Sequence, residues 1–350
     1  MKNPDPIHAL HLVFRGLKVA LGFLLVILVA VGVLWMDRLW SKGGHSGPLP
    51  VKEDFASSSN LWSPPDLAAL PKDEAGALIR YGRDLIVHTA DFLGPKGSVR
   101  PMSNGMNCQN CHLDAGTKPF GNNYSAVAST YPKVRARSGQ MESIEKRIND
   151  CFERSLNGSS LAEDSREMKA MVAYMKWLGT GVPAGDQPNG VGLVKLTYLE
   201  RPASVENGRL LFAQKCVVCH GENGQGIGNK EGSAWIYPPL WGEKSYNTGA
   251  GLYRLSRFAG YIKANMPLGA TFDNPQLTDE ETWDIAAFVN SLPRPEKKFE
   301  ADWPDISKKP IDHPFGPYAD SFDEVQHKYG PFRPIEESRA ALGKGKEVSK

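Results

Sequence analysis

Two short motifs of the same form contain four of the five cysteines in this 350-residue chain. Each motif reads Cys-x-x-Cys-His, and the two copies are Cys108–His112 and Cys216–His220. In this pattern both thiols can bond to the vinyl groups of a porphyrin while the histidine binds the iron. A zinc site or a thiol redox pair is the alternative, but a histidine in both copies favours haem. The sequence thus predicts two covalently bound haem c groups, attached through Cys108, Cys111, Cys216 and Cys219, with His112 and His220 as proximal ligands.

Each haem iron has a second axial position, whose ligand tunes the redox potential and controls access to the metal. In the second half of the chain the candidate is Met266, which is the only methionine after residue 175. A methionine in a loop can also be simple core filler. As an iron ligand, its thioether sulfur would raise the potential of the second haem.

The fifth cysteine, Cys151, is the candidate ligand for the first haem. Apolar residues recur every fourth position around it, which predicts a helix with Arg147, Cys151 and Ser155 on one face. The arginine lowers the pKa of the thiol, and a lone thiol outside the cytoplasm is exposed to oxidation unless iron or burial protects it. A thiolate ligand would lower the potential of the first haem, so electrons would run from the first haem to the second. The alternative is a buried inert thiol, with the first iron bound by Met102, Met106, Met141 or His88.

The N-terminal region predicts one membrane crossing. Residues 19–36 carry no charge and are nearly long enough to span the hydrocarbon core of a bilayer. Arg15 and Lys18 precede the segment, which favours a cytoplasmic N-terminus. A cleaved secretory signal is the alternative, although no small-x-small cleavage site follows the segment. We expect a single-pass protein of the bacterial inner membrane with its haem domains in the periplasm, and the net charge of +2 gives no reason to expect nucleic-acid binding.

The elements that must position the two haem sites recur along the chain. Helical spacing of apolar residues predicts one helix before each Cys-x-x-Cys-His motif, over 74–92 and 205–214, and one helix closing each unit, over 166–178 and 278–292. Gly82 and Gly208 occupy matching places in the two leading helices, where a missing side chain would let another helix cross closely.

Composition divides the chain further. Residues 41–65 and 179–192 are rich in glycine, proline or serine and predict connecting segments, whereas aromatic residues after 296 predict a tail that packs on the domains. The expected divisions are a cytoplasmic N-terminus (1–18), an anchor (19–36), a tether (37–69), a first haem domain (70–180), a linker (181–200), a second haem domain (201–295) and an extended tail (296–350).

Over residues 70–295 this order of elements resembles two class I cytochrome c domains in tandem. The resemblance implies an all-α fold, preceded here by one N-terminal transmembrane helix and followed by an extended tail. It also implies a backbone carbonyl that orients the second proximal histidine, in the segment Pro239–Leu240. In such domains the ligand loop after the motif normally supplies a methionine, and in the first domain Cys151 stands at the corresponding place.

Longer segments resemble a single family of diheme cytochromes, the thiosulfate dehydrogenases, whose haems have His/Cys and His/Met ligands. The matching segments are Arg135–Gly139, Arg147–Phe152, Ser155–Gly158, Gly316–Phe322 and Gln326–Phe332. The resemblance implies an enzyme that joins two thiosulfates into tetrathionate and releases two electrons, in some members reversibly. It further implies a soluble or membrane-bound electron acceptor similar to cytochrome c.

The candidate catalytic residues suit this chemistry. Arg137 and Arg147 carry planar groups of charged donors that could clamp the sulfonate of a dianion, although a single arginine is more often a solvated surface charge. Ser155 would donate a hydrogen bond to a sulfonate oxygen. Our hypothesis is that Cys151 leaves the iron, forms an adduct with the sulfane sulfur of one thiosulfate, and is then released by attack of the second.

Two features depart from the family, and two other functions stay open. Relatives are often soluble or fused to a partner cytochrome, and in some of them a lysine that can bind iron precedes the methionine ligand, where this chain has Asn265. A switch of the iron ligand from methionine to lysine is therefore not expected in the second haem domain. The chain could instead be a membrane-anchored diheme electron carrier without its own substrate, or an enzyme that loads sulfur onto a carrier protein.

Overall fold

A computed structural model describes residues 61–347 of the chain, with side chains up to residue 341. The predicted anchor over 19–36 and nearly all of the predicted tether lie outside the described residues. Among residues 61–347, none of the helices combines the length and the apolar character needed to cross a bilayer.

The first haem domain is built around two long helices that pack against each other. Its described helices are α1 (Glu74–Val87), α2 (Thr89–Leu93), α3 (Leu113–Gly116), α4 (Val127–Thr130), α5 (Ile144–Arg154) and α6 (Arg166–Leu178). Helix α6 has the predicted bounds, whereas the helix predicted over 74–92 is divided at His88, whose φ of −121° and ψ of 37° are not helical. A hairpin of β1 (Lys133–Val134) and β2 (Met141–Glu142) lies between α4 and α5.

The second haem domain repeats the arrangement. Its described helices are α7 (Val205–Lys215), α8 (Val217–His220), α9 (Leu255–Asn265) and α10 (Asp279–Ser291), and its hairpin is β3 (Ile227–Gly228) with β4 (Trp235–Tyr237). Thr278 caps α10 together with Glu281 in a capping box. The fold is thus largely helical, and the two small hairpins are a departure from the all-α prediction.

The two matching glycines lie where helices cross, as the sequence predicts. A Cβ atom at Gly82 in α1 would collide with the backbone carbonyl of Ala170 in α6, and one at Gly208 in α7 would collide with that of Asp284 in α10. Each leading helix therefore packs on the closing helix of its own domain at a distance that only glycine permits. The repeat seen in the sequence is a repeat of this helix pair.

Hydrogen bonds join the two haem domains directly. The Asn104 side chain donates to the carbonyl of Ser245 at 3.1 Å, and Trp235 donates to the carbonyl of Asn104 at 3.3 Å. On the other side of α5, the Asn247 side chain donates to the carbonyl of Glu153 at 2.8 Å. Tyr246 and Tyr253 are buried in the same apolar cluster as the first domain's core, so the two cores meet.

The C-terminal tail packs on both domains and contains two helices that the sequence analysis did not predict. These are α11 (Glu324–Tyr329) and α12 (Arg333–Glu347). Phe332 and Ile335 are buried in the core of the second domain. On the first domain, Arg154 donates two hydrogen bonds of 2.8 Å to the carboxylate of Asp302.

Candidate active site

The first Cys-x-x-Cys-His motif is held rigidly against α2. Cys108 begins a 3-10 turn, Cys108–Asn110, which Cys111 follows, and the Asn110 side chain accepts a hydrogen bond from the backbone N–H of Asn107 at 2.7 Å. The Thr89 hydroxyl accepts a hydrogen bond from the backbone N–H of Cys108 at 2.9 Å, and the Asn107 side chain accepts one from that of Ala90 at 2.8 Å. These hydrogen bonds tie the turn to α2.

The His112 ring is oriented for metal binding. Its Nδ1 lies 2.6 Å from the carbonyl oxygen of Asn122, and because a carbonyl only accepts, Nδ1 must carry the proton. The Nε2 atom then keeps its lone pair for iron, and the carbonyl increases the basicity of the ring. Tyr124 stacks on the ring with centroids 4.5 Å apart, which fixes its plane.

Helix α5 presents Cys151 to the same space as His112. The helix buries Ile148 and Phe152 in the core, so its neighbouring face, with Arg147, Cys151 and Ser155, lines a cavity with His112. Arg147 Nη1 donates to Cys151 Sγ at 3.1 Å. Burial raises the pKa of the Cys151 thiol, but the positive charge of Arg147 and the proximity of His112 outweigh this effect and lower the pKa to about 6. The surroundings of Cys151 therefore favour its thiolate form.

This cavity has the lining that an attached porphyrin requires. It holds about 240 Å³ of free space, is partly open to solvent, and is lined by both motif cysteines. The walls are largely apolar, as a porphyrin requires, and include Ile86, Ile144, Met171 and Met175. Histidine and thiolate are both established ligands of haem iron.

The four alternative ligands for the first haem are placed differently. Met106 is buried and lines the cavity, whereas Met102 is buried outside its lining. His88 and Met141 are exposed to solvent. Only Met106 among the four therefore shares the cavity with His112.

The open side of the cavity is strongly basic. Four cationic side chains line it, and no aspartate or glutamate does so among the described residues; the four are Lys133, Arg135, Arg147 and Arg257. Burial lowers the pKa of Lys133, and the charges of Arg135 and Arg147 lower it further, against a smaller opposite effect of Glu142. Mutual repulsion of this kind marks a positive potential that favours anions.

Arg137 is not brought into this cavity. It lies against the C-terminal tail, where Nη1 donates to the carbonyl of Gly249 at 3.4 Å and Nε lies 4.0 Å from the Asp302 carboxylate. Its guanidinium also lies over the ring of Trp303 at 5.6 Å. Of the four candidate catalytic residues, the structure therefore gathers Cys151, Arg147 and Ser155 and leaves Arg137 at the boundary between domain and tail.

Sequence reasoning missed three of the four basic residues at the cavity. For Lys133 and Arg135 a signal existed in the sequence, because basic and apolar residues alternate there. Residues two apart in an extended segment share a face, and the basic set is Lys133, Arg135 and Arg137. For Arg257 no local signal existed, since it belongs to α9 in the second domain.

The second Cys-x-x-Cys-His motif lies at the end of α7 and in α8. His220 is buried, and its Nδ1 lies 3.4 Å from the carbonyl oxygen of Pro238. The orienting carbonyl is therefore one residue before the predicted segment Pro239–Leu240. Burial lowers the pKa of His220, although the hydrogen bond to Pro238 opposes this, so the ring is neutral and suited to bind iron. Met266, which caps the end of α9, packs on the same apolar cluster as Cys216.

The fold and the two sites define a diheme c-type cytochrome with one basic, solvent-accessible centre. Residues 99–184 match the SoxA/TsdA cytochrome c domain, and residues 205–293 match the cytochrome c family. Two covalently bound haem c groups follow from these two domains and their attachment motifs.

Whole-chain comparisons are more specific. The chain is 40% identical over 252 residues to a thiosulfate dehydrogenase of Psychrobacter arcticus, covering 72% of this chain and 74% of the relative. It is 41% identical over 239 residues to a thiosulfate dehydrogenase of Allochromatium vinosum, covering 66% and 83%. A solved structure of the thiosulfate dehydrogenase TsdBA from Marichromatium purpuratum superposes with a TM-score of 0.61 at 33% identity, covering 67% of this chain and 50% of that one. The chain belongs to the thiosulfate dehydrogenase family.

Proposed function

We propose that this chain oxidises thiosulfate and joins two thiosulfates into tetrathionate at the cavity of the first domain. The observation that carries the proposal is the combination at that cavity of a cysteine, Cys151, that accepts a hydrogen bond from Arg147, with four cationic side chains and no described carboxylate in its lining. Thiosulfate is a dianion with a nucleophilic outer sulfur. A site for it needs positive charge for the sulfonate and a sulfur or metal partner for the sulfane atom.

The residues that would hold the cofactor are those already described. Cys108 and Cys111 would carry the first haem, with His112 and Cys151 as axial ligands, and Cys216 and Cys219 would carry the second, with His220 and Met266. When bound, the haems supply one-electron acceptors that separate the two electrons of the reaction.

The remaining groups would bind and orient substrate. Arg147 lies one helical turn from Cys151, so its guanidinium can hold a sulfonate next to the thiolate. The Ser155 hydroxyl lines the same cavity and makes no hydrogen bond to any residue in the described part of the chain, which leaves it available to a sulfonate oxygen. We assign Arg137 a different role, in holding the tail against the domains.

The proposed bond changes balance as follows. The Cys151 thiolate and the sulfane sulfur of the first thiosulfate form an S–S bond, and two electrons leave to the acceptor. The sulfane sulfur of the second thiosulfate then attacks that of the first, forming the central bond of tetrathionate and returning Cys151 as thiolate. No proton is taken up or released, so positive charge around the cavity, and not a general base, is the main requirement.

Electrons would leave through the second domain. Tyr261 in α9 donates a hydrogen bond to the carbonyl of Asn110, inside the first attachment motif, and α9 ends at Met266. This contact places the helix that leads to Met266 beside the first attachment motif. The final acceptor would be an external cytochrome c-like protein or a membrane carrier.

The test uses the haem-loaded protein with thiosulfate and an oxidised acceptor, and measures both haem reduction and tetrathionate. We expect tetrathionate from the wild-type protein, and its loss in Cys151→Gly. Turnover by a Cys151→Gly variant that keeps both haems would eliminate the mechanism. An unreactive wild-type protein whose haems thiosulfate cannot reduce would instead be an electron carrier.

We also propose that residues 19–36 anchor the chain in the bacterial inner membrane, with the haem domains in the periplasm. The support is the uncharged apolar segment preceded by Arg15 and Lys18. In membrane fractions of an expressing bacterium, full-length protein should resist extraction by salt and alkali. Recovery in the soluble periplasmic fraction with a new N-terminus after residue 36 would refute the anchor.

A further inference from the structure

One face of α9 lies along the first haem domain. Arg257, Tyr261 and Asn265 are spaced by four residues, which places them on the same side of the helix. Tyr261 donates to the carbonyl of Asn110 at 2.9 Å, and the Asn265 side chain donates to the carbonyl of Phe120 at 3.1 Å. The second domain therefore presents this face to the first attachment site, and Arg257 lies at the end of the face that reaches the cavity.

Arg257 is a cation without a hydrogen-bonding or ion-pair partner among the described residues. Its side chain is exposed and lines the cavity with Cys151, and it makes no hydrogen bond or ion pair to any residue within 61–341. The neighbouring Arg254 differs, because its Nε donates to Asp312 at 2.8 Å. The other oxygen of Asp312 accepts from the backbone N–H of Ser256 at 3.1 Å, so this carboxylate is already occupied.

The other cations at the cavity have partners. Arg147 donates to Cys151, and Arg135 donates to the hydroxyl of Tyr131 at 2.7 Å. Lys133 donates to the hydroxyl of Thr130 at 3.3 Å. Within the described part of the chain, Arg257 is thus the cavity cation whose donors are all available to a ligand.

We propose that Arg257 binds the sulfonate of the second thiosulfate, the one that attacks. This inference rests on the proposed function, because in that reaction the sulfane sulfur of a second dianion must reach the sulfane sulfur of the first. Arg147 and Ser155 belong to α5 beside Cys151 and serve the first dianion. Arg257 comes from the other domain and offers a planar fork of donors on the solvent side, where the second dianion must arrive.

The composite site explains why the two domains are joined at α9. The first domain alone supplies the thiolate and one anion clamp. The second domain supplies the clamp for the second substrate on the same helix that leads to Met266. No described carboxylate pairs with Arg257, so its positive charge is available to attract the attacking dianion.

The test compares Arg257→Gln and Arg257→Lys with Arg209→Gln in the full-length, haem-loaded protein. Arg209 is an exposed arginine of the same domain that pairs only with Glu206 among the described residues. Two quantities are measured, namely the steady-state constants for thiosulfate and the Kd for sulfate, an inert dianion, by calorimetry. Absorption spectra and haem content verify that each variant is loaded.

For Arg257→Gln we expect KM for thiosulfate and Kd for sulfate to rise by about 10- to 150-fold, the range for loss of a charged hydrogen bond. The kcat should stay within about threefold of wild type, because binding and not chemistry is changed. Arg257→Lys should fall between wild type and Arg257→Gln, and Arg209→Gln should match wild type.

Values for Arg257→Gln that equal those of Arg209→Gln would overturn the inference. A fall in kcat without a change in KM or in sulfate binding would overturn it as well. If the wild-type protein does not oxidise thiosulfate, the proposed function fails and the thiosulfate subsite fails with it. The sulfate titration then still decides whether Arg257 is an anion-binding residue.

Discussion

Asp302 anchors the C-terminal tail to the first domain, and its replacement by asparagine should loosen the tail. Arg154 donates two parallel hydrogen bonds of 2.8 Å to this carboxylate, and the Arg154 side chain is only 7% exposed. Arg137 lies 4.0 Å from the same group. An asparagine at this position would leave both guanidinium groups without a charged partner in the tail.

The magnitude follows from the burial of the pair. Removing one partner of a buried ion pair costs about 3–5 kcal/mol, because the remaining charge stays desolvated. Two features favour the lower end of that range. The Asp302 side chain is 20% exposed, and Asp150 stays 3.8 Å from Arg154. We therefore expect Asp302→Asn to lower the free energy of unfolding by about 3 kcal/mol.

The assay is guanidinium denaturation of the haem-loaded protein followed by circular dichroism. Glu206→Gln is the matched control, since it breaks an exposed, solvent-screened pair with Arg209 and should leave the free energy of unfolding close to that of the wild type. Adding Arg154→Met to Asp302→Asn should recover part of the loss, because the buried charge is then gone. A free energy of unfolding for Asp302→Asn that equals that of the control would refute the reasoning.

Three further predictions concern the site and the helix crossings. Ser155→Ala should lower kcat/KM for thiosulfate by about 10- to 150-fold, the range for one hydrogen bond to a charged group, with unchanged haem spectra. An unchanged kcat/KM would exclude contact between Ser155 and the substrate. Tyr261→Phe removes a hydrogen bond between the domains and should lower the free energy of unfolding by about 1 kcal/mol. If denaturant titration gives the same free energy of unfolding as for the wild type, this hydrogen bond does not stabilise the protein. Gly82→Ala should lower the free energy of unfolding by about 1–3 kcal/mol through overpacking, measured by thermal unfolding. In the control Gly251→Ala the added Cβ atom meets no atom within 4 Å, so stability should not change. Equal melting temperatures for the two variants would contradict the close crossing.

Local patterns in the sequence determined the chemistry of the chain. Two Cys-x-x-Cys-His motifs specify haem attachment within five residues, so no tertiary information is needed to recognise them. The helices that begin and end each domain follow from apolar spacing and from caps such as Thr278. Gly82 and Gly208 predicted the helix crossings because only glycine lacks the Cβ atom that would collide at a close crossing. That requirement is visible in the sequence as a residue type.

The order of Arg147, Cys151 and Ser155 along one helical face was also local information. Residues four apart on a helix share a side whatever the surrounding fold, so their common direction could be predicted. Their approach to His112 could not, because it depends on how α5 packs against the loop that holds the histidine ring.

Tertiary structure alone decided which charges face the thiolate. Arg137 and Arg147 look equivalent in the sequence, yet the tail draws Arg137 to Asp302 and away from the cavity. Arg257 lies more than a hundred residues from Cys151 in the chain and reaches its cavity only because α9 of the second domain packs on the first. Charges act through space, whereas helical order follows from local sequence. The sequence therefore specified the haem attachment motifs and the helical face of Cys151, while the fold determined which cations surround that cysteine.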